Sequence, residues 1–138
     1  MSRINKTDWY FELCDTISKR STCIRKHVGA IIVKEGRILS TGYNGAPSGE
    51  IHCIDTLNCV RPKEAYDGIS YTECRANHAE WNCIIQAAKY GISIEGADIY
   101  VTLKPCTICL KVLKSVGIRV CHYRNATGYL VASNCKDM

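Results

Sequence analysis

Two short segments, well separated along the chain, have to meet in whatever fold this sequence adopts: His78-Ala79-Glu80 and Pro105-Cys106-Thr107-Ile108-Cys109. One imidazole and two thiols are soft ligands suited to zinc, and a shared ion would tie them to one point in space. Each segment also opens an apolar stretch with helical spacing. Over residues 78–90, Ala79, Cys83, Ile84 and Ala87 share a face, and Gly91 follows as a stop signal. Residues 106–116 repeat the pattern and end at Gly117. His78 and Cys106 therefore fall at helix N-termini, and Cys109 lies one turn on from Cys106, on the same face. Two positive helix ends would converge on the ion, which favours thiolate over thiol, and the metal itself deprotonates such groups.

The rest of the chain supplies a frame for that convergence. Residues 7–21 place Trp9, Leu13 and Ile17 at helical spacing, with Asp8 as a candidate cap. Residues 28–33 and 38–43 are apolar, β-branched runs joined by Lys34-Glu35-Gly36-Arg37, the pattern of a hairpin. Residues 97–103 and 118–123 read as further strands, whereas 124–138 carry no assignable pattern. Residues 44–77 hold glycines, prolines and little periodicity, and a segment of that length needs either a function or a fastening. A helix, a hairpin and two helix-and-strand units predict one domain over residues 1–138, a three-layer α/β/α arrangement around a mixed sheet.

Charge and cysteine content narrow the function classes. The 18 basic residues exceed the 13 acidic ones only modestly and are spread along the chain, so a solvated surface accounts for most of them and no nucleic-acid partner is expected. The run Lys19-Arg20-Ser21-Thr22-Cys23-Ile24-Arg25-Lys26-His27 is denser and suits a phosphate. No stretch approaches the roughly 20 apolar residues of a membrane span. The polar opening, Met1-Ser2-Arg3-Ile4-Asn5-Lys6-Thr7-Asp8, lacks the layout of a secretory signal, so the expectation is a cytoplasmic protein, of a cell or of a virus-infected host. In a reducing compartment the ten cysteines read as metal ligands or buried apolar side chains rather than disulfides. Cys14, Cys83 and Cys121 are expected in the core and Cys135 at the surface.

A structural zinc site is closed by four protein ligands, whereas a catalytic one has three and leaves a position for water. Glu80 argues for the second kind. It stands two residues after His78, close enough to act on a bound water without itself binding the metal, which suits a general acid and base. A lone Cys-x-x-Cys or a lone His-x-Glu fits a structural site equally well; their combination, with Pro105 before the first cysteine, favours a catalytic one.

This pairing, H-x-E followed by P-C-x-x-C, is already established as the mark of zinc-dependent nucleobase deaminases. Over residues 8–123 the chain resembles the deoxycytidylate deaminases within the cytidine deaminase superfamily. The resemblance also rests on Ser21-Thr22-Cys23-Ile24-Arg25-Lys26-His27-Val28-Gly29-Ala30, on Thr41-Gly42-Tyr43-Asn44-Gly45-Ala46-Pro47-Ser48-Gly49 and on His78-Ala79-Glu80-Trp81-Asn82. It implies a cytidine-deaminase-like fold and the hydrolysis of dCMP to dUMP and ammonia, supplying dUMP for thymidylate synthesis. Water activated by zinc on His78, Cys106 and Cys109 would add to ring carbon 4, while Glu80 protonates ring nitrogen 3 and then carries a proton to the leaving amino group. The resemblance further implies a hexamer, activation by dCTP and inhibition by dTTP, with Mg2+ accompanying a bound triphosphate. It assigns Asn44 to the sugar and Gly42, Tyr43, Asn44 and Gly45 to a regulatory nucleotide site.

The residues themselves leave several of these roles open. Asn44-Gly45 is also an ordinary turn pair. Arg25 is the candidate for the 5′-phosphate, with Lys26 and Arg20 as competitors and a plain surface arginine as the alternative. Tyr123 could stack on the base or simply close a strand, and Lys89 could meet a subunit, a regulatory phosphate or only water. Cys23, Cys53, Cys59 and Cys74 form a candidate second, structural zinc site, in which His52 or His27 could replace one cysteine. The rival functions are deamination of free cytidine, deoxycytidine or tRNA adenosine, and a zinc-stabilised nucleic-acid-binding module. That last reading leaves Glu80 without work.

Overall fold

The computed structural model describes residues 2–60 and 74–138. Helix α1 (Lys6–Ser18) leads into the hairpin β1 (Gly29–Lys34) and β2 (Arg37–Tyr43), followed by the single-turn α2 (Cys53–Thr56). Then come α3 (Ala79–Lys89), β3 (Asp98–Val101), α4 (Thr107–Ser115), β4 (Val120–Arg124) and β5 (Leu130–Asn134), closed by a 3-10 turn at Cys135–Asp137. The strands form one sheet in the order β2-β1-β3-β4-β5. Among the described residues only β3 and β4 run parallel; every other neighbouring pair is antiparallel. The expected mixed sheet between helical layers is therefore present.

The continuous apolar run of β1 follows from burial on both faces. Ala30 and Ile32 join Ile99, Val101 and Cys121 beneath α3 and α4, where Ala79, Cys83, Ala87 and Leu113 pack. Ile31 and Val33 face the other way, with Tyr100, against Tyr10, Phe11 and Cys14 of α1. Alternation along a strand thus serves two cores at once. The turn between β1 and β2 places Glu35 and Gly36 both at positive φ, 52° and 76°, the conformation that matches hairpin twist.

Three sequence expectations need correction. Helix α1 is capped by Asn5, whose side chain accepts from the Asp8 amide at 2.9 Å, rather than by Asp8. Its buried face is Tyr10, Phe11 and Cys14, while Trp9 is 40% exposed and Leu13 and Ile17 are only partly buried. The rotation follows from what the sheet offers: the Tyr10 and Phe11 rings sit 4.7 and 5.7 Å from that of Tyr100. Cys135 is buried, because the final turn folds it into the core below α4 and its amide donates to the Arg119 carbonyl at 3.0 Å. The unassigned tail contains β5, whose inward face holds only Val131 and Ser133 against the core side of β4, too little apolar alternation to read from sequence. Of the irregular segment 44–77, residues 61–73 lie outside the described residues; the rest contains α2.

Candidate active site and metal centre

The N-caps of α3 and α4 are His78 and Cys106, both with extended backbone and neither using its side chain to cap. Cap positions usually hold Ser, Thr, Asp or Asn, whose side chains bond the first free amides and contribute ~1 kcal/mol. His78 and Cys106 forgo that contribution and turn their ligand atoms toward each other. Cys109 lies in the first turn of α4, fully buried. His78 Nδ1 stands 3.1 Å from Cys109 Sγ and 3.5 Å from Cys106 Sγ, and the three ligand atoms all lie within 4.8 Å of one another. Tetrahedral zinc with ordinary bond lengths separates nitrogen from sulfur by about 3.5 Å and sulfur from sulfur by about 3.8 Å. The donor set fits zinc in identity and spacing, and among the described residues no other group of three His, Cys, Asp or Glu side chains is so gathered.

The two thiols act on each other. A hydrogen bond from Cys109 is the chief reason that the Cys106 thiol is lowered to about 4, with the bond to His78 helping. The same bond, then burial, pushes Cys109 up. Coordination needs both thiols as thiolates, so metal binding would displace the protons they hold.

Glu80, the second residue of α3, is 4% exposed and abuts the same cluster. Burial pushes its carboxyl up, opposed by its backbone hydrogen bond, by His78 and by its contact with Cys109. A buried carboxyl with no salt-bridge partner among the described residues, held beside three gathered donor atoms, is suited to take up and release protons. Trp81, next in the chain, has its ring 6.3 Å from that of His78 and its Nε1 buried without a partner among the described residues.

A cavity adjoins this cluster. His78, Glu80 and Cys106 form one wall, and Arg25, Lys26, Asn44 and Lys104 contribute to the others. Its cations suit an anionic group. Lys104, immediately before Pro105, was not anticipated; its place next to the ligand motif was the available signal. Asn44 is 7% exposed and is more than a turn residue: its Oδ1 accepts from the Val28 amide at 2.8 Å and its Nδ2 donates to the Lys26 carbonyl at 2.9 Å. Cys23, Cys53, Cys59 and Cys74 also line the cavity. They are close enough that Cys53, raised chiefly by burial, is raised further by Cys23, Cys74 and Cys59, yet they do not form a gathered ligand group. His52 Nδ1 pairs with Thr22 Oγ1 at 2.9 Å.

Other candidate residues lie elsewhere. Tyr123 is buried in the core, paired with Val101 and Val131, and is not among the described residues lining the cavity. Arg20 is not among them either. Lys89 ends α3, about 16 Å along the helix from His78. Gly42 has a structural duty, since a Cβ there would fall 2.4 Å from the Ala79 carbonyl oxygen and 2.6 Å from the Cys83 nitrogen. Its absence lets α3 press onto β2. Tyr43 presents its carbonyl to Asn82 Nδ2 at 2.7 Å, and Gly45 bridges to Asn77, so this motif also anchors the backbone just before His78.

Residues 4–124 match the family model of the cytidine and deoxycytidylate deaminase zinc-binding region. The chain belongs to that family. By that membership it is a deaminase, and its His and Cys cluster, which lies within the matched residues, fits zinc. It is 36% identical over 146 residues to the deoxycytidylate deaminase of Enterobacteria phage T4, covering 83% of this chain and 75% of that protein. It is 37% identical over 123 residues to ComE operon protein 2 of Bacillus subtilis (strain 168), covering 89% of this chain but only 61% of that relative. The dCMP deaminase of cyanophage S-TIM5 superposes with a TM-score of 0.71 at 33% identity, covering 90% of this chain and 86% of that one. A second structure of the cyanophage enzyme, in complex with dCMP and dUMP, gives a TM-score of 0.70.

Proposed function

We propose that this deaminase converts dCMP to dUMP: dCMP and water give dUMP and ammonia. The observation that carries the reading is the buried Glu80 carboxyl between a three-ligand cluster and a cavity bearing Arg25, Lys26 and Lys104. His78, Cys106 and Cys109 would hold zinc, which would supply the Lewis acidity that makes water a nucleophile near neutral pH. Glu80, which burial inclines to hold a proton, gives that proton to ring nitrogen 3, takes one back from the attacking water's oxygen and passes it to the amino group, which departs as ammonia. Arg25, with Lys26 or Lys104, holds the 5′-phosphate, and Asn44 meets the sugar. The cyanophage relative solved with dCMP and dUMP supports the choice of nucleotide.

The test is ammonia release from dCMP, CMP, deoxycytidine and tRNA by one purified preparation. The proposal expects dCMP to be preferred; a preference for deoxycytidine overturns it. The same reading includes supply of dUMP for thymidylate synthesis, regulation by dCTP and dTTP with Mg2+, a hexamer, a cytoplasmic home and a second zinc on Cys23, Cys53, Cys59 and Cys74. Assays with each triphosphate, sedimentation and zinc counting address the regulatory, oligomeric and metal claims. About two zinc ions per chain support the second site, and about one counts against it.

A further inference from the structure

Ser21 closes a small hydrogen-bond system around Asn44 that no role described so far explains. Its side chain is buried in the irregular connection between α1 and β1, which carries Arg25 and Lys26 to the cavity. Ser21 Oγ lies 2.5 Å from Asn44 Oδ1, 2.9 Å from the Asn44 carbonyl oxygen and 3.5 Å from the Lys26 carbonyl oxygen. A hydroxyl has one proton to give, and the shortest approach assigns it to Oδ1. Its oxygen accepts the Cys23 amide at 3.3 Å.

Asn44 Oδ1 therefore receives two donors, the Ser21 hydroxyl and the Val28 amide. That fixes which way the carboxamide points, because a flipped amide would set its NH2 against the Val28 N–H. Nδ2 gives one hydrogen to the Lys26 carbonyl. Among the described residues nothing accepts its other hydrogen, and Asn44 lines the cavity.

We infer that Ser21 is a positioning residue: acting with the Val28 amide, it holds Asn44 so that the side-chain nitrogen, and not the oxygen, meets the ligand, making Asn44 a donor to a pentose hydroxyl oxygen. This rests on the nucleotide reading proposed above. dCMP has a single free pentose hydroxyl, at the 3′ position. A ligand without that oxygen leaves the Asn44 N–H unpaired in a buried place, a loss on the order of tenfold to a hundredfold in kcat/KM.

The experiment compares kcat and KM for dCMP and its 3′-deoxy analogue in the zinc-loaded wild type and in Ser21→Ala, with zinc content and melting temperature measured on both. The wild type should favour dCMP by about tenfold or more. In Ser21→Ala the KM for dCMP should rise severalfold, kcat should change by less than about twofold, and the preference for dCMP over the analogue should collapse. A merely structural serine would lower the melting temperature and leave that preference intact, which overturns the inference. A wild type indifferent to the 3′ oxygen overturns it too. If Ser21→Ala fails to fold, Ser21→Cys, similar in size but a weak donor, carries the test with the same expected collapse. Failure of the wild type to turn over dCMP at all sinks the nucleotide reading and this inference together, whereas turnover with an unaltered preference in the variant sinks this inference alone.

Discussion

Two sets of cysteines lie at or next to one cavity, and they are built differently. Cys106 and Cys109 belong to the first turn of α4 and face a histidine at the first turn of α3, so helical geometry sets their separations. Cys23, Cys53, Cys59 and Cys74 come from loops and a single-turn helix; they feel one another's charge without closing to ligand distance. Ligands mounted on packed helices are preorganised, whereas ligands mounted on loops need the ion to gather them. The proposed chemistry rests on the first set, and the proposed structural ion on the second.

The largest effect should come from breaking the helix-built set. Cys109→Ala removes a buried ligand, and we expect loss of stoichiometric zinc together with loss of deamination, checked by metal analysis and ammonia release. Glu80→Gln should keep the zinc but lower kcat by about 10²–10⁴-fold, the usual contribution of a general acid and base. It should also stabilise the metal-stripped protein at neutral pH. Burial raises the Glu80 carboxyl above its ordinary 4.5, so the fold prefers it protonated. Below pH 4.5 folded and unfolded chains are both protonated there and the residue costs nothing; as pH rises through the folded value, a carboxylate must be buried and stability falls. The variant's gain in melting temperature should therefore vanish in acid, and a gain that persists below pH 4 would contradict the assignment.

Smaller effects test the loop-built side. Arg25→Ala should raise the KM for dCMP about tenfold or more with little change for deoxycytidine, which has no phosphate to hold. Cys53→Ser should take the zinc content from about two per chain to about one while leaving the helix-held ion in place. Loss of both ions would mean that the two sets assemble as a unit. Smallest in direct chemistry is Gly42→Ala, for which overpacking predicts about 1–3 kcal/mol of destabilisation as α3 is pushed off β2. Denaturant titration measures it, and unchanged stability would free Gly42 for the regulatory role suggested by its motif.

Much of this was legible in the chain because it depends on local pattern. His78, Glu80, Cys106 and Cys109 announce themselves by spacing at the start of periodic apolar stretches, and the hairpin by its Glu35-Gly36 turn between β-branched runs. The failures are equally specific. Tyr123 reads as a stacking partner for the base or a half-buried strand end, but β5 pairs beside it and it lies in the core. Cys135 reads as tail, but a 3-10 turn folds it under α4. Ser21 reads as one small polar residue in a basic run, and only its partner across the fold distinguishes it.

Sequence alone determined the ligand types, the helix starts that carry them and the carboxyl beside them, since these follow from spacing within one element. Tertiary structure decided everything that needs two elements to meet: the His78 to Cys109 approach, the burial that raises Glu80, the Ser21 hold on Asn44 and the close contact of α3 at Gly42. The reason is physical. Periodicity states which side of an element is apolar, whereas distance, desolvation and hydrogen-bond direction are properties of pairs and exist only after the sheet has brought those pairs together.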